Sequence, residues 1–177
     1  MPAQRPAADL TEKQTFQPRL LRDVLGCFPT GVAVVTAVAR DGSLHGVTIN
    51  SFNSVSLDPP LVLFSLSRDL NSLQSLETAE AFAINFLRDD QAHLSSRFAA
   101  ALTDKWTGLE YRAGLTGAPV LVPALAVVEC RPYAQYDGGD HVIFVLRVSH
   151  IEADATRYPL VFFRGCYHAL ANAERDR

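Results

Sequence analysis

The sequence predicts a mainly β domain, an antiparallel barrel carrying a few short helices. About six or seven short runs rich in Val, Ile, Phe and Tyr recur along the chain. Most are joined by tight-turn residues such as Arg40-Asp41-Gly42-Ser43 and Asp137-Gly138-Gly139-Asp140. Helical patterning is confined to short segments, so the regular strand–helix alternation that a parallel doubly wound sheet needs is missing.

Each element has its own signal. PRLLRDVLGCF (18–28) places Leu20, Leu21, Val24, Leu25 and Phe28 at helical spacing behind Pro18. GVAVVTAVA (31–39) is β-branched and apolar on both faces, which predicts a strand covered on both sides. The Asp-Gly turn of RDGS (40–43) then sends the chain back as LHGVTIN (44–50). Pro59-Pro60 is expected to block regular structure ahead of a buried strand, LVLFSL (61–66). Leu70, Leu73 and Leu76 form a helical stripe, AFAINFL (81–87) reads as a strand, and DDQAHLSSRFAA as a short helix capped by Asp89 or Asp90. After a loop with Trp106, Gly114 and Gly117 the pattern is wholly β. PALAVVECRPYAQY and HVIFVLRVSHIEA flank DGGD, and YPLVFFRG closes the series. Within the second of these, Val142, Phe144, Leu146 and Val148 alternate with His141, Ile143, Val145 and Arg147.

Composition narrows the function classes. With 177 residues, 48% hydrophobic and 20% charged, the chain has enough apolar content for one globular core. A net charge of −3 provides no general attraction to nucleic acid or an anionic membrane. The opening MPAQRPAADLTEKQTFQ lacks a secretory apolar stretch and reads as a loose polar tail, residues 1–17, matched by a C-terminal tail at 171–177. No run approaches the roughly 20 apolar residues of a membrane helix. Cys27, Cys130 and Cys166 stand far apart without a C-x-x-C pair, which suggests reduced thiols buried for packing in a cytoplasmic protein. Cys166-x-His168 lacks a second ligand pair at metal-site spacing, so no metal is expected. The G-x-S-x-G, Walker A, H-E-x-x-H and G-x-G-x-x-G signatures are all missing.

The stretch GVTINSFNSVSLDPP (46–60) is the least expected on folding grounds. It interleaves Thr48, Asn50, Ser51, Asn53, Ser54 and Ser56 with apolar residues between two strands. These side chains offer neutral donors and acceptors but no strong acid, base or metal ligand. Such a lining suits an enzyme whose cofactor carries the chemistry, and a flavin has the polar ring edge, hydroxylated chain and phosphate to match. Ser and Asn are also ordinary turn residues, and that reading stays open on these residues alone.

Six segments in order resemble the flavin reductase family, and within it the small reductase components of two-component flavin-dependent monooxygenases. They are FPTGVAVVTA (28–37), GVTINSFNSVSLDPPLVLFSL (46–66), AFAINFL (81–87), SSRFA (95–99), YDGGDHVIFVLRV (136–148) and LVFFRGCYHAL (160–170). The resemblance implies one domain over residues 18–170 with the family's fold, an antiparallel Greek-key split β-barrel with short peripheral helices. It implies a homodimer that takes hydride from NADH or NADPH onto FMN or FAD and supplies reduced flavin to a separate monooxygenase. A non-catalytic flavin carrier, and a split-barrel oxidoreductase acting on an organic substrate with tightly bound flavin, are the alternatives.

The resemblance also implies site residues. Gly46, Val47, Thr48, Asn50 and Ser51 would lie against the flavin ring or ribityl chain, and Ser65, Leu66, Ser67 and Ser72 on its phosphate side. Arg68 is either a phosphate partner or an exposed turn arginine. Arg97, Lys105 and Trp106 would form further edges of the site. His141, in Gly139-Asp140-His141, would position the nicotinamide, or else simply open a strand after a glycine hairpin. Phe163, Arg164, Gly165 and Tyr167 match a late nicotinamide-side segment, with Arg164 reading a pyrophosphate and Tyr167 stacking, or both packing at the end of the last strand.

Overall fold

The computed structural model describes residues 17–101 and 104–170. The elements run α1 (Pro18–Leu25), β1 (Thr30–Gly31), β2 (Ala33–Val38), β3 (Leu44–Ile49), β4 (Asn53–Leu57), β5 (Pro60–Ser67), α2 (Leu73–Glu77), β6 (Phe82–Phe86), α3 (Ala92–Ala99), β7 (Tyr111–Ala113), β8 (Pro119–Leu121), β9 (Ala126–Gly138), β10 (His141–Ala153), β11 (Val161–Phe163) and β12 (Cys166–His168). The main sheet has seven strands in the order β3-β2-β6-β9-β10-β5-β4, every neighbouring pair antiparallel.

That order forces the sheet to curl. β3 and β4 lie at opposite edges yet follow one another in the chain. Seven flat strands would spread over about 29 Å. The short link from Ile49 to Asn53 reaches about 15 Å at most. The edges are therefore drawn towards each other into a barrel with one seam. Ser51 closes it: its hydroxyl donates to the Ser65 carbonyl and accepts the Ser65 N–H, both at 3.1 Å.

Apolar packing fills both sides of the barrel wall. Inside, Phe64, Phe82 and Phe144 form a fully buried aromatic cluster, with the Phe64 and Phe144 rings stacked at 5.1 Å. Each such ring stabilises the fold by about 1.5–3 kcal/mol through burial. Outside, Phe98 and Leu94 of α3 join Val34, Leu87, Leu121 and Leu160 in a second core. β2 runs between the two layers with Ala33–Ala37 buried, as its unbroken apolar pattern predicts. β7–β8 and β1–β11–β12 form small satellite sheets.

Several local expectations are corrected. The 31–39 segment is broken at Val32, whose carbonyl instead accepts the Leu87 N–H at 3.0 Å. Pro59 lies in the turn between two strands, as expected, but Pro60 does not stop regular structure: it begins β5, opposite Leu57, and the polar 53–57 segment is itself a strand. A proline at a strand's first position leaves the rest of the ladder intact. Among the described residues the strands number twelve rather than about six or seven, because β1, β4, β7, β8 and β12 are too short or too exposed to show alternation. Gln91, not Asp89 or Asp90, is the N-cap of α3 and makes no side-chain cap, while Asp90 pairs with Arg88 and Arg157. Cys130 is buried, but Cys27 and Cys166 are exposed, so the packing role holds for one cysteine only. The helix expected behind Pro18 forms as α1, and its apolar residues Leu20, Leu21, Val24 and Leu25, with Phe28 just beyond it, are exposed. No helix among the described residues is long and apolar enough to cross a membrane.

Candidate active site

The barrel seam is also where eight of the predicted residues meet. A cavity of about 240 Å³ is lined by residues 47–51 at the end of β3 and just beyond it, Ser65, Leu66 and Ser67 from the end of β5, Leu70, and His141 from the start of β10. The register explains the convergence, since His141 pairs with Ser67 across β10 and β5. Val47, Thr48, Asn50, Ser51, Ser65, Leu66, Ser67 and His141 thus share one cleft. β3 is an edge strand, so the backbone groups on its outer side have no neighbouring strand.

Hydrogen bonding separates these residues into two kinds. The Thr48 hydroxyl donates to the Ser95 carbonyl at 2.7 Å, tying β3 to α3. Ser51 spans the seam, and the Ser67 hydroxyl accepts the Asp69 N–H at 3.2 Å. Gly46 is needed for packing: a Cβ there would come within 2.3 Å of the Phe98 ring. Asn50, in contrast, makes no side-chain hydrogen bond among the described residues. It also lines a second, adjoining cavity of about 420 Å³ with Phe28, Thr30, Phe52, Asn53 and Phe86. Sequence reasoning assigned no role to that cavity, although its Phe28–Gly31 wall lies in one of the recognised segments.

His141 is held by its neighbour. Its Nδ1 lies 2.7 Å from Asp140 Oδ1, and that contact keeps the Asp140 carboxyl below its usual range. Arg68 does not extend freely from its turn. Its Nε donates to the Gly139 carbonyl at 2.8 Å and its Nη2 to Asp137 Oδ1 at 2.7 Å. The Arg68 hydrogen bond, helped by the Gly139 N–H, lowers the Asp137 pKa.

The remaining predicted residues lie outside the 240 Å³ cavity. Lys105 donates to the Phe98 carbonyl at 2.8 Å and the Gly46 carbonyl at 3.4 Å, and burial lowers its pKa. Trp106 Nε1 donates to the Leu44 carbonyl at 3.0 Å, and its ring meets Phe98 edge-on at 5.3 Å. Arg97 donates to the Thr107 carbonyl. These three fasten α3 and the following loop onto β3. Ser72 is the N-cap of α2, with no side-chain cap bond.

Phe163, Arg164, Gly165 and Tyr167 form the β11–β12 hairpin. Arg164 and Gly165 occupy its turn with φ of 49° and 79°. Arg164 lies over the Phe163 ring at 5.2 Å and 3.7 Å from Cys27 Sγ. The Tyr167 hydroxyl meets Ser95 Oγ at 2.7 Å, so the hairpin reaches the cleft through Tyr167, Ser95 and Thr48.

At the far end of β10 from His141, Glu129, His150 and Glu152 bring ligand atoms within 4.8 Å of one another. Their carboxylates are already engaged. Glu129 accepts from the Leu115 and Thr116 N–H groups, and Glu152 pairs with Arg112.

A barrel open along one seam, with a cleft of amides, hydroxyls and one imidazole, is built to hold a flat ligand with a neutral, polar edge. The donor set fits a flavin, whose carbonyls and ring nitrogens ask for such partners. The model of the family described as "Flavin reductase like domain" matches residues 25–171, and the chain belongs to that family. It is 43% identical over 155 residues to an FMN reductase (NADH) of Agrobacterium fabrum, covering 84% of each chain. Against the reductase subunit of a flavin-dependent monooxygenase of Mycobacterium tuberculosis it is 39% identical over 158 residues, 88% of this chain and 83% of the relative. The solved NADH:FAD oxidoreductase of Streptomyces globisporus, in complex with NAD and FAD fragments, superposes with a TM-score of 0.84 at 36% identity. That match covers 89% of this chain and 95% of the other.

Proposed function

We propose that the protein is an NAD(P)H-dependent flavin reductase that supplies reduced FMN or FAD to a separate monooxygenase. The seam cleft carries this reading: Asn50, with its side chain uncommitted, and His141 line the same cavity on a reductase-family barrel. The names of the relatives, an FMN reductase (NADH) and an NADH:FAD oxidoreductase, support NADH as donor and either flavin as acceptor. The monooxygenase reductase subunit among them supports a separate oxygenase as the receiver.

Bound flavin supplies the hydride-accepting ring and reduced nicotinamide the hydride. The chain's task is to hold two rings about 3–3.5 Å apart and in line. Asn50 and the outward backbone groups of residues 47–51 would fix the flavin's polar edge, and N–H groups there would stabilise negative charge developing on it. Ser65 and Ser67 would bind its chain or phosphate side. His141 would orient the nicotinamide carboxamide; because hydride transfer moves no separate proton, no general base is required of it.

The functional unit is residues 18–170, a cytoplasmic homodimer in this reading. The exposed apolar residues of α1, and Phe28 just beyond it, support pairing, since Leu25 is 64% and Phe28 76% exposed in the single chain. Steady oxidation of NADH that depends on both the protein and added FMN or FAD is the expected result. Flavin binding without NADH or NADPH oxidation would instead make the protein a carrier.

A further inference from the structure

The tip of the β9–β10 hairpin is made of residues that hold their shape poorly alone. Gly138 and Gly139 follow one another there, Gly139 at φ 75°, and His141 comes directly after as the first residue of β10. Arg68, the first residue beyond the end of β5, restrains this tip at several points. Arg68 donates its backbone N–H to the Asp140 carbonyl at 2.9 Å, its Nε–H to the Gly139 carbonyl at 2.8 Å and its Nη2 to Asp137 Oδ1 at 2.7 Å. Asp137 Oδ1 also accepts the Gly139 N–H at 3.2 Å. The planar fork of an arginine holds Nε–H and Nη2–H in fixed geometry towards these two acceptors, where a lysine offers one compact ammonium with freely rotating donors.

The restraint passes on to the imidazole. Asp140 Oδ1 sits 2.7 Å from His141 Nδ1, so in the neutral ring Nδ1 carries the proton and Nε2 is the acceptor. We propose that Arg68 and Asp137 are positioning residues that fix the hairpin tip, so that His141 Nε2 accepts a hydrogen bond from the nicotinamide carboxamide. The inference rests on the reductase reading above, and it makes Arg68 a clamp on the hairpin rather than a partner of flavin phosphate. The side chains of Arg68 and Asp137 are 47% and 81% exposed, and an ion pair so open to water adds little to global stability. What it supplies is geometry.

The test is a kinetic cycle with an independent structural readout. Asp137→Asn should raise the KM for NADH about 3- to 10-fold, the loss of one charged hydrogen bond, while the unfolding midpoint moves by less than about 3 °C. In a His141→Ala background the same change should add nothing further. Arg68→Gln should raise the KM for NADH in the same way. It should also keep the wild-type ratio of FMN to riboflavin dissociation constants, because riboflavin lacks the phosphate. In ligand-free protein both variants should speed amide exchange at residues 138–141 about tenfold. An unchanged KM, additive effects with His141→Ala, unchanged exchange, or loss of the FMN preference in Arg68→Gln would each overturn the proposal. If the wild type binds NADH but leaves flavin oxidised, the reductase reading fails alone. The dissociation constant for NADH then replaces KM in the same cycle.

Discussion

Two clusters of neutral polar side chains in this barrel differ in one respect that separates folding from function. Thr36 and Asn85 are fully buried in the wall, and their groups are spent within the fold. Asn85 Nδ2 donates to the Val34 carbonyl at 3.0 Å and its Oδ1 accepts the Leu121 N–H at 2.9 Å, while the Thr36 hydroxyl donates to the Ala83 carbonyl. Asn50, at the seam, is exposed and makes no side-chain hydrogen bond among the described residues. The same amide therefore fastens β8 to the sheet in one place and is left without a partner among the described residues in the other. Residue type does not distinguish the two; the hydrogen-bond partners do.

Breaking the wall cluster should have the largest effect. Asn85→Leu leaves the Leu121 N–H and the Val34 carbonyl buried without this partner, and about 2–4 kcal/mol should be lost in denaturant unfolding. The folded fraction should still bind FMN normally. A variant of normal stability and weak flavin affinity would reverse the contrast.

A smaller loss is expected at Gly46, beneath α3. In Gly46→Ala the new Cβ meets the Phe98 ring, a residue packed in the second core, and overpacking should cost about 1–3 kcal/mol. If flavin affinity fell while stability held, Gly46 would belong to the ligand surface after all.

Asn50→Leu should do the reverse. Stability should change by less than about 0.5 kcal/mol, as at other exposed positions. The FMN dissociation constant should rise about tenfold, equivalent to roughly 1.4 kcal/mol. Fluorescence titration beside a thermal melt separates the two quantities.

The smallest effect concerns acid. Burial pushes the Glu129 carboxyl up, but the Thr116 N–H and hydroxyl, the Leu115 N–H and the nearby His150 outweigh it and hold the pKa below 4.5. A carboxyl lowered on folding stabilises the folded state above its unfolded value, and that contribution is lost as pH falls through the folded value. The stability gap between wild type and Glu129→Gln should therefore be constant above about pH 4.5 and shrink below it. A gap that widened in acid would contradict the sign.

Legibility in the sequence followed the same division. The barrel class was readable because β2 is apolar on both faces and the Asp-Gly and Gly-Gly turns mark hairpins, all local signals. The cleft was readable as a region, because residues 46–56 carry more neutral polar groups than a strand and turn require. Individual roles were not, since they depend on partners distant in sequence: Thr48 is occupied by Ser95, 47 residues on, and Lys105 by Gly46, 59 residues back. β4 escaped notice because Ser54 and Ser56 read as turn residues until β5 supplies their ladder. The apolar stripe of α1 was correctly periodic, but its periodicity says nothing about which surface covers it.

Anaerobic mixing of the protein with FMN or FAD and then NADH or NADPH, following the flavin's visible absorbance, decides whether the protein reduces flavin. Fast bleaching that requires the protein and is slowed in Asn50→Leu is the expected result. Flavin that binds to the wild type yet stays coloured with both nicotinamides would contradict it.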